Sequence, residues 1–164
     1  MIIAIDGSAA SGKGTLAKQL ARHLGLAHLD TGGLYRAVAL HLLNAGQDSK
    51  NINDKQCVES CLQLDVDLTQ SPVIRSEHVA EMASIVAAIP AVRAALLNLQ
   101  RQCAAQPPHG SGAILDGRDI GTVVLPNADI KFFIDADIDI RAERRTKELI
   151  QAGQSVMFRD VLTE

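Results

Sequence analysis

The run Gly7-Ser8-Ala9-Ala10-Ser11-Gly12-Lys13-Gly14-Thr15 constrains the fold more than any other stretch of the chain. It follows Met1-Ile2-Ile3-Ala4-Ile5, an aliphatic run that reads as a buried strand ended by Asp6-Gly7. After it, Leu16, Ala17, Leu20, Ala21 and Leu24 recur at helical spacing, with Gly25 where a helix would end in the left-handed conformation. Strand, glycine-rich loop and helix in direct succession bring backbone N–H groups and a helix N-terminus around one point. That arrangement suits phosphate oxygens, and the glycines let the backbone approach them. Lys13 adds a point charge for the outer phosphates of a polyphosphate. The general loop carries Ser or Thr straight after the lysine. Here Gly14 intervenes and the hydroxyl follows on Thr15, the candidate Mg2+ partner.

Other readings of the same residues explain less. Gly12-x-Gly14-x-x-Ala17 matches a dinucleotide fingerprint with Asp30 at a tempting distance for a ribose, but it leaves Gly7 and Lys13 without a purpose. Asp135-x-Asp137-x-Asp139 imitates the start of a calcium loop, yet Ile140 stands where glycine is needed and Thr146 where the bidentate glutamate belongs. It reads as a solvated strand-to-helix junction. His23, His28, His41, His78 and His109 lack metal-ligand spacing and are expected at the surface or at helix caps. Cys57 and Cys61 could share a helix face, but they have no partners to complete a zinc site.

Farther along, Ala27 to Leu29 reads as a brief strand, and Asp30-Thr31 cap a helix that carries Leu34, Val38, Leu42 and Leu43 and stops near Gly46. Leu64, Val66 and Leu68 alternate with Asp65 and Asp67, which predicts a short peripheral strand. Ser76 is expected to cap a helix running to about Ala88, and Pro90 to open another running to Ala105. Ala113 to Asp116 and Ile130 to Ile134 read as core strands, followed by a charged amphipathic helix from about Ile138 to Ala152. Strands interleaved with helices predict an α/β fold, a parallel sheet with helices on both faces and ligands at the carboxyl ends of its strands.

A chain of 164 residues with 47% hydrophobic and 21% charged residues fits one soluble domain, and 2% aromatic content makes its core aliphatic. A net charge of -3 argues against a general nucleic-acid or membrane surface, so anionic ligands need local cations. Arg36, Arg93 and Arg118 stand alone beside glycine-rich or cap-like segments, whereas Arg141, Arg144 and Arg145 form a run. Three cysteines, an odd number, and no secretory leader or long apolar stretch point to free thiols, a cytoplasmic location and no membrane partner.

Four segments in order carry a family resemblance. They are Ile5-Asp6-Gly7 with Ser11-Gly12-Lys13-Gly14-Thr15, Leu29-Asp30-Thr31-Gly32 with Leu34-Tyr35-Arg36, Ala83-Ser84 with Val86-Ala87-Ala88, and Leu115-Asp116-Gly117-Arg118-Asp119-Ile120-Gly121-Thr122-Val123-Val124. The chain resembles the bacterial cytidylate kinases, nucleoside monophosphate kinases of the P-loop class, from Met1 to about Gly153, and the last segment is the most specific. Adenylate kinases share the first loop but do not carry Asp-Gly-Arg-Asp-Ile-Gly-Thr.

The resemblance implies a three-layer P-loop kinase fold with a helical acceptor subdomain at about residues 31–106 and a lid after about residue 141. It implies transfer of the γ-phosphoryl group of ATP to CMP or dCMP with Mg2+, in a monomer that takes no nucleic acid. Residues 7–15 with Arg141 and Arg145 would bind ATP, Thr15 and Asp116 the metal, and Lys13, Arg118 and Asp116 would act in catalysis. Thr31, Arg36 and Arg118 would meet the acceptor nucleotide, and Ser84, Arg93 and Asp119 would read its base. A carboxylate accepts from the exocyclic amino group of cytosine and repels the oxygen uracil has there. Ser8 replaces the proline common in relatives, and the middle segment is shorter than in relatives with a three-stranded insert. Relatives also continue past the position of Glu164, so the expected sheet lacks its last strand and the lid is incomplete. The alternative expectation is a truncated nucleotide-binding protein without kinase turnover.

Overall fold

Strand β1 (Ile2–Gly7) takes the apolar run that opens the chain, and it lies between β3 (Ala113–Gly117) and β4 (Ile130–Ile134), parallel to both. With β2 (Ala27–Asp30) outside β3, the order across the sheet is β2-β3-β1-β4. The structure, a computed structural model, describes residues 1–151 and 153–163. The two-residue period of a strand turns Ile3 and Ile5 to one face. There they pack with Ile114, Leu26 and the buried face of helix α1 (Lys13–Leu24), which presents Ala17 and Ala21. Small residues on that face let the helix lie close to the strands. Helix α1 ends at Gly25, whose φ of 65° is left-handed as its position predicts.

The chain divides into two compact units, Met1–His28 with Pro107–Glu164, and Leu29–Gln106. The first holds β1, β3, β4, α1, α6 (Ile138–Gln151) and α7 (Phe158–Thr163). The second is helical: α2 (Thr31–Asn44), α3 (Asp54–Leu62), α4 (Glu77–Ala87) and α5 (Pro90–Ala105). Its core is aliphatic, with Leu34, Leu42, Met82, Val86, Val92 and Leu96 fully buried, each contributing about 1.5–3 kcal/mol on burial. Local chemistry sets the helix starts. Asp30 caps α2 by accepting from Gly33 N, Asn53 and Gln56 form a reciprocal capping box on α3, and Pro90 opens α5.

Two expectations need correction. Residues 64–68 do not form a strand; Val66–Gln70 is a 3-10 turn followed by another at Pro72–Arg75. The alternation found no neighbouring strand to pair with, and local bonds such as Leu68 N to Asp65 O (3.1 Å) and Thr69 Oγ1 to Val66 O (2.7 Å) hold the backbone instead. Ile130–Ile134 is a strand but not a core one: it lies at the sheet edge and Phe133 is 71% exposed. An apolar run of five residues reveals a strand without revealing whether anything covers it. The expected end of α6 at Ala152 lies outside the described residues, and no single described helix is long and apolar enough to cross a membrane.

Candidate phosphate-binding and nucleotide site

The loop between β1 and α1 is fitted closely to its surroundings. A Cβ on Gly7 would sit 2.0 Å from the carbonyl oxygen of Ile134, so only glycine lets β1 and β4 run side by side here. Gly12, the N-cap of α1, has φ 93° and brings no side chain to the helix start. No side chain therefore caps the first-turn N–H groups of α1, and no carboxylate stands in that turn to repel an anion. Lys13 folds back, its Nζ donating to Ser8 O at 3.1 Å. Ser11 Oγ is buried with no hydrogen-bond partner among the described residues.

Two side chains distant in sequence hold this loop, and a third just before it reaches a distant segment. Arg144 on α6 donates from Nη1 to Ser11 O (3.0 Å) and Ala10 O (3.3 Å), beside the left-handed backbone of Ala10 at φ 57°. Ser8 Oγ donates to Asp135 Oδ1 at 2.6 Å, and this bond, with a backbone N–H and Arg141, holds the Asp135 carboxyl below the usual range. Asp6, just before the loop, accepts from Ile120 N at 2.7 Å and Gly121 N at 2.8 Å. Those two amides start the π-helical turn Ile120–Val124 after Arg118 and Asp119, so one buried carboxylate joins the loop strand to the Asp116–Val124 segment.

Asp116, the penultimate residue of β3, is buried, with Oδ2 2.6 Å from His28 Nε2 on β2. Its Oδ1 lies 3.7 Å from the point a Cβ would occupy on Gly14, on the side of the phosphate loop. His28 was expected at the surface or at a helix cap; it is instead a largely buried strand residue, because alternation along β2 puts Ala27 and Leu29 in the core and turns His28 to a polar partner. Thr15 and Arg118 are exposed, and Arg141 is half-buried, donating from Nε to Ala136 O. Arg145 pairs with Glu148 at 3.5 Å on the exposed face of α6.

Within the second unit, Thr31 is buried at the start of α2, and Arg36 one turn on donates to Asp30 Oδ2 at 2.9 Å. Asp30 thus serves two partners, with Oδ1 on Gly33 N and Oδ2 on Arg36. Ser84 is exposed on α4, its hydroxyl bonded back to Ala80 O, and Arg93 is exposed in the first turn of α5. The residues that tie these groups down escaped the sequence reading: Asp6, His28, Asp135 and the individual role of Arg144. Only Asp6 carried a local signal, being a charged residue inside an otherwise apolar strand end.

A parallel sheet whose central strand runs through a lysine-bearing glycine loop into a helix, in a chain that also forms a helical unit, defines a P-loop protein of the nucleoside monophosphate kinase class. The family profile described as cytidylate kinase matches residues 3–164. A cytidylate kinase of Rhodopseudomonas palustris is 53% identical over 164 residues, 100% of this chain and 75% of that protein. One from Bradyrhizobium diazoefficiens is 52% identical over the same shares. The crystal structure of TT1252 from Thermus thermophilus superposes with a TM-score of 0.52 at 19% identity, covering 99% of this chain and 77% of that one, a likeness of fold. The chain belongs to the cytidylate kinase family and has its three-layer α/β fold.

Proposed function

We propose that this protein transfers the γ-phosphoryl group of ATP to CMP or dCMP, giving CDP or dCDP and ADP. The observation that carries the proposal is the phosphate loop of the first unit, with its uncapped helix N-terminus, the lysine at its mouth and the partnerless hydroxyl of Ser11. These features fit a polyphosphate: Gly7 to Thr15 would wrap the donor phosphates with backbone amides, and Lys13 would leave Ser8 O for them. The donor set also fits Mg2+. Thr15 offers an exposed hydroxyl and Asp116 an oxygen on the loop side. No group of three or more His, Cys, Asp or Glu among the described residues could hold a metal alone, so phosphate oxygens and water would complete the shell. Bound there, Mg2+ would neutralise charge on the β- and γ-phosphates.

Acceptor recognition falls to arginines and a carboxylate. Arg36 and Arg118 would grip the acceptor phosphate with planar guanidinium forks, next to Thr31. Ser84, Arg93 and Asp119 would read cytosine, Asp119 by accepting from its amino group. The acceptor phosphate oxygen attacks the γ-phosphorus, the bond to the β-phosphate oxygen breaks, and ADP leaves without a covalent enzyme intermediate. Arg118 and Lys13 would stabilise the charge on the transferring group, while Arg141 and Arg145 would close over the donor. We further infer a cytoplasmic monomer that binds neither nucleic acid nor membrane.

The test is ADP release by the full-length protein with CMP, dCMP, UMP and AMP as acceptors. Activity with CMP and dCMP well above that with UMP and AMP is expected. Equal rates with all four would reject the cytosine assignment, and tight ATP binding with no acceptor-dependent ADP release would leave a nucleotide-binding protein in its place.

A further inference from the structure

In the first unit His28 and Asp116 face each other at 2.6 Å, with 11% and 5% of their side chains exposed. A carboxylate only accepts, so Nε2 of His28 donates to Oδ2 of Asp116. The two oxygens of a carboxylate turn together, and the torsion that turns them is broad and roughly two-fold in aspartate. Fixing Oδ2 therefore fixes where Oδ1 points, and Oδ1 points at the phosphate loop, 3.7 Å from the Cβ position of Gly14. His28 itself has little freedom, because its neighbours Ala27 and Leu29 are buried and β2 is held in the sheet.

We propose that His28 is a positioning residue, which holds Asp116 with one oxygen directed at the phosphate loop where the donor phosphates and their Mg2+ would lie. The proposal rests on the reading of that loop as the donor site. It assigns a role to a residue that touches no reacting atom. Residues that orient a metal-side carboxylate are worth about 10–100-fold in metal affinity or activity, and His28 falls in that position toward Asp116. Without the His28 bond Asp116 loses a contact that fixes the direction of its carboxylate, which weakens the metal-dependent part of donor binding and leaves the acceptor untouched.

The experiment compares wild type, His28→Leu and His28→Gln in the full-length protein. Gln places an amide N–H near the position of Nε2, and Leu fills the space with no donor. Calorimetric titration with ADP is run with Mg2+ and again with EDTA, alongside steady-state kinetics and melting temperature. For His28→Leu the expected result is about a tenfold loss in affinity for the Mg2+ complex of ADP and in kcat, with metal-free ADP affinity and KM for CMP within about twofold. His28→Gln recovers most of that loss. Equal impairment of Leu and Gln would mean a packing role and overturn the proposal, as would a His28→Leu protein equal to wild type in both titrations. Failure of wild type to bind the Mg2+ complex of ADP would instead remove the donor-site reading beneath it.

Discussion

Replacing Asp6 by Asn tests whether one buried carboxylate joins the phosphate loop to the segment carrying Arg118 and Asp119. Asp6 is 8% exposed and accepts two backbone N–H groups, Ile120 at 2.7 Å and Gly121 at 2.8 Å. Hydrogen bonds to a charged group contribute about 1.5–3 kcal/mol each, and a neutral one about 1 kcal/mol. Asn has a single acceptor oxygen, so it keeps one bond in weakened form and turns an NH2 group toward the other amide. The net cost is about 2–5 kcal/mol, and at about 2–4 °C per kcal/mol for a chain of this size the melting temperature falls by about 4–20 °C. Urea denaturation of both proteins, followed by circular dichroism, measures the first quantity, and a thermal melt the second. Hydrogen exchange supplies the local readout: the amides of Ile120 and Gly121 should lose protection before those of β1 do. An Asp6→Asn protein within about 0.5 kcal/mol of wild type, the scatter of ordinary surface substitutions, would refute the reasoning.

Other consequences are quicker to check. Lys13→Ala should abolish acceptor-dependent ADP release while leaving the melting temperature within about 2 °C, since Nζ gives up only one partly exposed bond to Ser8 O; unchanged activity would take the loop out of the mechanism. Burial, and secondarily Cys57, raises the Cys61 thiol from its ordinary 9.0 to about 11. Below pH 9 both folded and unfolded chains keep this proton. Between pH 9 and about 11 the unfolded chain releases it first, so this contribution to stability is lost across that window and levels off above it. Iodoacetamide at pH 8 should accordingly modify Cys61 far more slowly in the folded protein than in urea, and equal rates would contradict the burial.

The sequence showed those parts of the molecule whose physics is local. Gly25 ends α1 in the left-handed region because no other residue adopts it so readily, and Asp30 and Pro90 start helices through bonds or ring geometry within a turn of their own positions. The phosphate loop is legible for the same reason: backbone approach to an anion demands glycines at fixed spacing, and the requirement survives on paper without coordinates. Leu64 to Leu68 misled because alternation states only which side chains share a face, and a strand also needs a partner across 4.7–4.9 Å. Ile130 to Ile134 misled about burial because strand order, β2-β3-β1-β4, is a property of the whole sheet and leaves this strand at the edge.

What escaped the sequence is the set of contacts that make the site rigid, and the reason is their span. Asp6 meets its amides 114 and 115 residues away, His28 meets Asp116 across 88, and Arg144 reaches back 133 and 134 residues to the carbonyls of Ser11 and Ala10. Each is a single polar side chain, and a local pattern such as the alternation along β2 sets which way it faces without announcing its partner. Yet all of them converge on the strand ends and loop of the first unit, where an apolar residue in their place would take a hydrogen bond away from a backbone amide, a loop carbonyl or the Asp116 carboxylate. A motif therefore names the groups that would touch the phosphates, while the cost of leaving distant polar atoms unsatisfied decides whether those groups stay in register. That ordering is why Asp6→Asn and His28→Leu, which alter no residue of the loop from Gly7 to Thr15, are expected to disturb the site that loop forms.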